Sequence, residues 1–223
     1  LGMLSQRQLF LLNTAQTSDT PKSLEIDSAA GIYLQDISGK KYIDLVSGFA
    51  VSNVGHRHPR VVQAIKDQAD KYLHVTVYGE YIQSPQVLFA EKLCSVLPDK
   101  LNSVYFVNSG AEATEGAMKL AKRYTGRAKI VSCINSYHGS TQGALSLMGN
   151  EHYKQAYRPL LPGISFVRFN EPDDLLLITS ETAAVFLETI QGEAGVIVPA
   201  LEYMQALRTR CDQTGTLLVL DEI

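Results

Sequence analysis

Polar clusters follow four apolar runs of the sequence, at the points where the runs end. These clusters occupy residues 108–110, 135–139, 188–193 and 221–222. In open α/β sheets, ligands bind beyond the carboxyl ends of the strands. If the four runs are parallel strands, hydroxyls, backbone N–H groups, aromatic rings and carboxylates therefore meet at one rim of a sheet.

The first cluster turns directly from an apolar run into a helical pattern. Ser109, Gly110 and Ala111 offer backbone N–H groups, a hydroxyl and the positive end of a helix, which together favour a phosphate. An ordinary N-cap serine explains the same residues, so the turn alone leaves both interpretations open. The patterns G-x-G-x-x-G and G-x-x-x-x-G-K-[ST] are missing from the sequence, which weakens a dinucleotide or nucleoside-triphosphate site.

The other clusters contain carboxylates and aromatic rings. Asp221 ends a fully apolar run, where a carboxylate is costly unless it is paired. It either caps the next element or holds a cation, such as a protonated ring nitrogen. Tyr137 and His138 offer a flat face to an aromatic ligand, although a tyrosine buried in the core is an equal alternative. Glu222 is interpreted as an exposed or structural neighbour.

Other chemistries have weaker support. "HGSTQG" lacks the first glycine of a G-x-S-x-G nucleophile elbow. His56 and His58 have no third metal ligand at helical spacing, so loop and N-cap roles are favoured. Three widely spaced cysteines lie in apolar segments without a C-x-x-C pair, which is typical of buried thiols in a reducing compartment. We predict no metal site.

The totals limit the classes of partner. The chain has 223 residues and a formal net charge of -3, without a basic block, so a nucleic-acid partner is not expected. No apolar run reaches the roughly 18 residues of a membrane span, and the N-terminus lacks a signal-peptide pattern. The sequence predicts a cytoplasmic globular protein.

Periodicity predicts strands and helices that alternate along most of the chain. The predicted strands are 31–34, 41–45, 103–107, 129–133, 164–169, 183–187 and 216–220. The predicted helices are 9–12, 60–73, 85–97, 111–125, 140–148 and 200–213. The first two strands form a hairpin in which Gly39 is suited to a positive φ. The later strands are apolar throughout, which indicates an α/β fold with a mainly parallel sheet flanked by helices.

Five ordered motifs resemble the class III aminotransferases that depend on pyridoxal 5'-phosphate (PLP). They are "DISGKKYIDLVSGFAVSNVGHRHPRVVQAI", "FVNSGAEATEGAMKLAKRYTGR", "YHGSTQGALSLMG", "ETIQGEAGVIVPALEYM" and "LLVLDEI". Within that class the likeness favours acetylornithine/ornithine-type enzymes. The resemblance implies an aspartate-aminotransferase-like fold (fold type I). It further implies that 1–55 contribute to the small domain and that 56–223 form an incomplete PLP-binding large domain.

The resemblance assigns a role to each cofactor-binding candidate at the rim. It implies that Ser109, Gly110 and Ala111 hold the cofactor phosphate. It also implies that Tyr137 stacks on the pyridine ring, with His138 beside it. These assignments agree with the residue types but come from the likeness to the family.

Carboxylates and tyrosines receive the remaining roles. By resemblance, Asp221 pairs with the ring nitrogen and Glu188 forms a hydrogen bond near Asp221 or the ring hydroxyl. Glu193 is similar to the family's gate glutamate, near the substrate's α-carboxylate or its arginine partner. Asp221 and Glu193 are therefore the predicted catalytic residues, and Tyr78 and Tyr81 are candidates for the substrate channel.

The sequence departs from the family pattern in two ways. Thr189 replaces a proline in "ETIQGE", for which we expect a small loop change. The family's Schiff-base lysine follows a strand beyond "DEI", so we expect these 223 residues to be an N-terminal fragment that lacks it and is inactive alone.

The resemblance implies that the parent is a homodimer that transfers a terminal amino group from acetylornithine, ornithine or a similar amino acid. The expected acceptor is a 2-oxo acid, 2-oxoglutarate. A class III PLP decarboxylase, mutase or racemase, or a non-catalytic binding protein, remains an alternative.

Overall fold

The computed structural model describes residues 4–76 and 79–223. The chain forms two compact units, Leu1–Val87 and Leu88–Ile223. Tyr78, one of the channel candidates, lies outside the described residues. The domain boundary predicted between residues 55 and 56 stays a prediction.

The first unit contains a small antiparallel sheet and short helices. Its elements are α1 (Gln6–Asn13), β1 (Ile26–Ala30), β2 (Tyr33–Asp36), β3 (Lys41–Ile43), α2 (Ser47–Ala50), α3 (Pro59–Ala69) and the start of α4 (Ser84–Cys94). The three strands pair in the order β1-β2-β3. The predicted hairpin is confirmed, and Gly39 in its turn has a φ of +85°. Sequence reasoning missed β1 because "IDSAA" is neither apolar nor strictly alternating.

One segment of this unit has an uncommon backbone. All four residues of α2 have a φ between 51° and 64°, so the turn is left-handed. The carboxylate of Asp44 accepts hydrogen bonds from the N–H groups of Val46 and Ser47 at 3.2 and 2.9 Å. The Asp44 carboxylate also lies 2.8 Å from His56 Nε2. These contacts stabilise a conformation that is costly for residues other than glycine.

The second unit alternates strands and helices, as predicted. Its elements after α4 are α5 (Gly110–Thr125), β4 (Lys129–Cys133), α6 (Gln142–Leu147), α7 (Glu151–Lys154), β5 (Ile164–Val167), β6 (Thr182–Glu188), α8 (Leu201–Thr214) and β7 (Leu217–Asp221). Two 3₁₀ turns cover 155–157 and 172–177. The strands lie in the order β5-β4-β6-β7, and every pair is parallel. The predicted parallel sheet is confirmed.

The sheet is covered on both faces. Val185 and Leu187 of β6 pack with α8, whereas Phe186, pointing to the opposite face, packs with α5. Every residue of β6 is buried, which explains why its sequence is apolar rather than alternating. Burial of each such side chain contributes roughly 1.5–3 kcal/mol to the stability of the fold. Packing on both faces therefore holds the strands, and with them the carboxyl end of the sheet, in place.

The predicted strand 103–107 is wrong. These residues have no regular structure, and Tyr105 and Phe106 are 82% and 46% exposed. A strand is stable only when its backbone groups pair with a neighbour, and no described strand pairs with this run. Phe106 instead packs near Phe89, with 6.0 Å between ring centroids.

Candidate active site

The carboxyl ends of β4, β6 and β7 bring three of the predicted clusters to one rim. Glu188, the last residue of β6, pairs in register with Asp221, the last residue of β7. The cluster 135–139 follows β4, which is paired with β6 on its other side. The apolar runs before these three clusters are strands, as predicted, whereas the run before the cluster 108–110 is not a strand.

Ser109 begins helix α5 and leaves two N–H groups without a partner. Its Oγ accepts a hydrogen bond from the N–H of Glu112 at 3.2 Å, and Glu112 Oε2 in turn accepts one from the N–H of Asn108 at 2.6 Å. The N-cap interpretation is confirmed. Across the described residues, the N–H groups of Gly110 and Ala111 donate to no protein acceptor. Such groups at the positive end of a helix suit an anion.

The loop after β4 approaches α5 closely because of a glycine. A Cβ atom at Gly139 would lie 2.8 Å from Cβ of Ala111, and the φ of Gly139 is +117°. Thr114 of α5 donates from Oγ1 to the carbonyl of His138 at 2.9 Å. Gly139 and Thr114 thus hold the predicted ring-binding loop beside the predicted phosphate site.

His138 forms a buried pair with Asp221. The distance from His138 Nδ1 to Asp221 Oδ2 is 2.8 Å, and the exposed fractions of the two side chains are 0% and 11%. Because the carboxylate is an acceptor, Nδ1 carries the proton of the imidazole. Nε2 is buried and has no hydrogen-bond partner in the part of the chain that the structure describes. Phe186 packs against the ring edge-on, 6.1 Å away.

Glu188 connects two loops. One carboxylate oxygen accepts a hydrogen bond from the N–H of Tyr137 at 3.2 Å, and the other accepts from the N–H of Gly192 at 3.3 Å. Burial raises the pKa of Glu188 despite these donors. Glu188 lies beside Asp221 in the sheet, and its carboxylate holds the backbone of both loops. The hydrogen bond predicted for it near Asp221 or the ring hydroxyl stays a prediction.

Tyr137 and Glu193 face one cavity of about 250 Å³. Its lining is formed by Asn135, Ser136, Tyr137, Met148, Asn150, Tyr153, Glu193 and Ala194. Tyr137 is 41% exposed, so the alternative of a buried core tyrosine is wrong. Tyr81, in the other compact unit, is 62% exposed, and its channel role stays a prediction.

Sequence reasoning missed two residues of α5, Thr114 and Glu115, whose hydrogen bonds hold the loop after β4 and the start of α6. Glu115 Oε1 accepts hydrogen bonds from Thr141 Oγ1 and the N–H of Gly143, at 2.7 and 2.8 Å, at the start of α6. Thr114 contacts the same loop, as described above. Thr114 and Glu115 follow Ala111 by three and four residues, so they lie on the same face of α5 as Ala111. This helical spacing is the sequence signal that could have predicted their role.

Comparison with known proteins identifies the family. The sequence model of the class-III aminotransferases matches residues 14–223, and this chain belongs to that family. An acetylornithine aminotransferase of Methanosarcina mazei is 46% identical over 202 residues, which are 90% of this chain and 50% of that enzyme. A [LysW]-aminoadipate semialdehyde/glutamate semialdehyde transaminase of Sulfolobus acidocaldarius is 38% identical, over 91% and 52% of the two chains.

Solved structures agree with this assignment. The adenosylmethionine-8-amino-7-oxononanoate aminotransferase of Methanocaldococcus jannaschii superposes with a TM-score of 0.91 at 31% identity, over 97% of this chain and 54% of that chain. The taurine:2-oxoglutarate aminotransferase of Bifidobacterium kashiwanohense, in complex with PLP and glutamate, gives 0.84 at 30% identity, over 100% and 56%.

These relatives define what the chain contains. The sheet with its flanking helices is part of the fold type I large domain. PLP is the cofactor that the family assigns to it. The chain spans about half the length of the curated relatives that it matches.

Within the part of the chain that the structure describes, no helix has the length and apolar character to cross a bilayer. The same residues contain no cluster of three or more side chains suited to bind a metal ion.

Proposed function

We propose that the full-length protein is a PLP-dependent aminotransferase that acts on the terminal amino group of an amino acid such as acetylornithine or ornithine. The proposed acceptor is 2-oxoglutarate. The observation that carries the proposal is the buried His138–Asp221 pair at the same rim as the free N–H groups of α5. The names of the relatives support the choice of substrate class.

The residues at the rim fit the chemical parts of PLP. Gly110 and Ala111 offer unpaired N–H groups for a phosphate, and Ser109 adds a hydroxyl. The exposed ring of Tyr137 suits one face of the pyridine, and Asp221 provides a carboxylate for a protonated nitrogen. Gly139 lets the loop of Tyr137 pack against α5. The residues proposed for the phosphate and those proposed for the ring are therefore held side by side.

PLP, when bound, withdraws electrons from the substrate carbon that loses its proton. In our proposal Asp221 stabilises the protonated pyridine nitrogen on which this withdrawal depends. His138 donates a hydrogen bond from Nδ1–H to Asp221 Oδ2, which orients that carboxylate. The carboxylate of Glu188 accepts a hydrogen bond from the backbone N–H of Tyr137 and so holds that loop in place.

Glu193 is proposed to act on the substrate side of the site. It lines the cavity together with Tyr137, and it is exposed on the turn that follows Glu188. The resemblance to the gate glutamate of the family supports a contact near the substrate's α-carboxylate or its arginine partner.

We also propose that none of the eleven lysines of this chain is the one that binds PLP covalently. Lys154 is the buried lysine among the described residues, and its Nζ donates to the carbonyl of Met148 at 2.7 Å and pairs with Glu151. Borohydride reduction of the full-length holoenzyme, followed by peptide mapping, identifies the modified lysine. Modification of any lysine up to Lys154 would contradict this part of the proposal.

Two further points belong to the proposal: a homodimer, which the resemblance supports, and a cytoplasmic location, which the three free cysteines support. Light scattering of the purified full-length protein measures the first, and cell fractionation measures the second. A monomer in light scattering would contradict the proposed homodimer.

The central test is turnover by the purified full-length protein. We expect 2-oxoglutarate-dependent consumption of acetylornithine, ornithine, 4-aminobutyrate or lysine, with formation of glutamate. Bound PLP is measured separately by its absorbance. PLP binding without amino transfer to any 2-oxo acid would favour a decarboxylase, mutase or racemase instead. Failure to bind PLP would reject the proposal that the protein is a PLP-dependent enzyme.

A further inference from the structure

A short turn, residues 192–196, carries Glu193 and has an unusual backbone. Gln191 and Ile197 close it, because the N–H of each donates to the carbonyl of the other at 3.0 and 2.9 Å. Inside the turn, Gly195 and Val196 have φ values of +111° and +60°. A β-branched residue with positive φ is strained, so surrounding contacts must hold the turn in place.

The side chain of Gln191 provides such a contact. It is 1% exposed, and its Nε2 donates to the carbonyl of Ile134 at 3.0 Å, across 57 residues of sequence. Ile134 directly follows β4 and begins the loop that carries Tyr137. One buried amide thus joins the bases of the two loops.

Both loops contribute residues to the lining of the cavity. Asn135, Ser136 and Tyr137 belong to the first, whereas Glu193 and Ala194 belong to the second. Gln191 is not among the lining residues and is 1% exposed. Its hydrogen bond to the carbonyl of Ile134 nevertheless connects the two loops that contribute to the lining.

We propose that Gln191 is a positioning residue of the substrate side of the site: its amide fixes the turn 192–196 against the loop 134–137 and so keeps Glu193 and Tyr137 facing one cavity. This inference rests on the proposed aminotransferase function. Glu188 makes a second connection between the same loops, through the N–H groups of Tyr137 and Gly192, but it does not fix the far end of the turn. Gln191 joins that end to Ile134, which follows β4, through its backbone pairing with Ile197 and its side-chain hydrogen bond.

The test uses two matched substitutions in the full-length protein. Gln191→Glu keeps the size of the side chain but removes the N–H donor. Asn170→Asp is the control. Asn170 Nδ2 donates to the carbonyl of Val198 at 3.2 Å, just after the turn, and neither residue lines the cavity. Gln191→Met removes the same hydrogen bond without adding charge and serves as the second variant if Gln191→Glu does not fold.

We expect Gln191→Glu to raise KM for the amino donor about tenfold while kcat and the dissociation constant of PLP change by less than about threefold, since a lost buried hydrogen bond has effects of this order. Asn170→Asp should leave KM unchanged. In a Glu193→Gln background, Gln191→Glu should raise KM no further, because its effect acts through Glu193. Equal KM changes in Gln191→Glu and Asn170→Asp, or fully additive effects with Glu193→Gln, would overturn the proposal.

A second readout does not depend on activity. The chain contains no tryptophan, so Tyr153→Trp places one reporter in the cavity wall once any tryptophan outside residues 1–223 is replaced by phenylalanine. In the cofactor-free protein, acrylamide quenching of this reporter should rise about twofold with Gln191→Glu but not with Asn170→Asp, because the walls separate. Unchanged quenching refutes the role of Gln191. If no amino donor is turned over, the proposed function fails, and the quenching result still decides this inference.

Discussion

The imidazole of His138 lies directly against the carboxylate of Asp221, with 2.8 Å between Nδ1 and Oδ2, although 83 residues separate the two in sequence. The contact joins the loop after β4 to the end of β7 and is almost fully buried. Hydrogen bonds to an ionised group in such surroundings are strong. The pair therefore fixes the direction of the Asp221 carboxylate.

Replacing His138 tests this relationship. We expect His138→Phe in the full-length protein to weaken PLP binding about tenfold or more, since a hydrogen bond to a charged group contributes roughly 1.5–3 kcal/mol. Titration of the cofactor-free protein by absorbance measures the dissociation constant. His74→Gln, at an exposed position of the other compact unit, is the control. Equal PLP affinity in His138→Phe and the unmodified protein would show that the pair does not serve the cofactor.

Asp221 itself should matter more for turnover than for retention of the cofactor. Asp221→Ala removes the proposed partner of the ring nitrogen and should reduce kcat by about a hundredfold or more, as loss of a key electrostatic group does. Phosphate binding at Gly110 and Ala111 should persist, and competition between inorganic phosphate and PLP measures it. The neighbouring, exposed Glu222→Gln is the control. Near-normal kcat in Asp221→Ala would contradict the assigned role.

Gly139 should tolerate no side chain. A Cβ atom there would lie 2.8 Å from Cβ of Ala111 in a backbone with a φ of +117°. Gly139→Ala is therefore expected to lower the free energy of unfolding by roughly 1–3 kcal/mol and to weaken PLP binding. Urea denaturation measures the first effect. Gly192→Ala, where a Cβ atom meets nothing within 4 Å, should change neither quantity. If both variants behave alike, close packing at Gly139 is not what holds the loop.

Arg127 should stabilise the fold without affecting the site. Its Nη1 donates to the carbonyls of Thr182, Thr214 and Gly215 at 3.0, 3.0 and 2.9 Å, near the amino ends of the strands. Arg127→Met should lower the free energy of unfolding by about 2 kcal/mol, because three acceptors lose a donor. PLP affinity should stay unchanged.

The control for Arg127 is Arg208→Met, which removes an exposed pair within α8. Its effect on the free energy of unfolding should stay below about 0.5 kcal/mol. A loss of PLP affinity in Arg127→Met, without such a loss in Arg208→Met, would contradict the separation of stability from function.

The hairpin of the first unit should show a distinct pH dependence. The side-chain hydrogen bond from Ser38, followed by that from Tyr42, lowers the pKa of Asp36 from 3.8 to about 2. Because the folded pKa is depressed, the stability this carboxylate contributes is present above pH 3.8 and is lost as the pH falls toward 2. An NMR titration of the carboxyl carbon measures its midpoint. Ser38→Ala should raise the midpoint more than Tyr42→Phe does, and a midpoint near 3.8 in the unmodified protein would refute the account.

Local sequence patterns predicted most of the elements that surround the site. The apolar run before Glu188 became β6, and Ser109 and Gly126 bound α5 as its N-cap and C-cap. These signals succeed because capping, helical periodicity and burial on both faces depend on residues close in sequence. The strand expected at 103–107 did not form, since pairing requires a neighbour that local pattern does not reveal.

The sequence by itself determined the family, the parallel sheet and the residues that gather at its rim. Only the tertiary structure decided which atoms meet there: His138 with Asp221, Glu188 with two backbone N–H groups, and Gln191 with Ile134. These contacts join segments between 4 and 83 residues apart. Their distances depend on strand register and loop conformation, which long-range packing sets and which no short stretch of sequence contains.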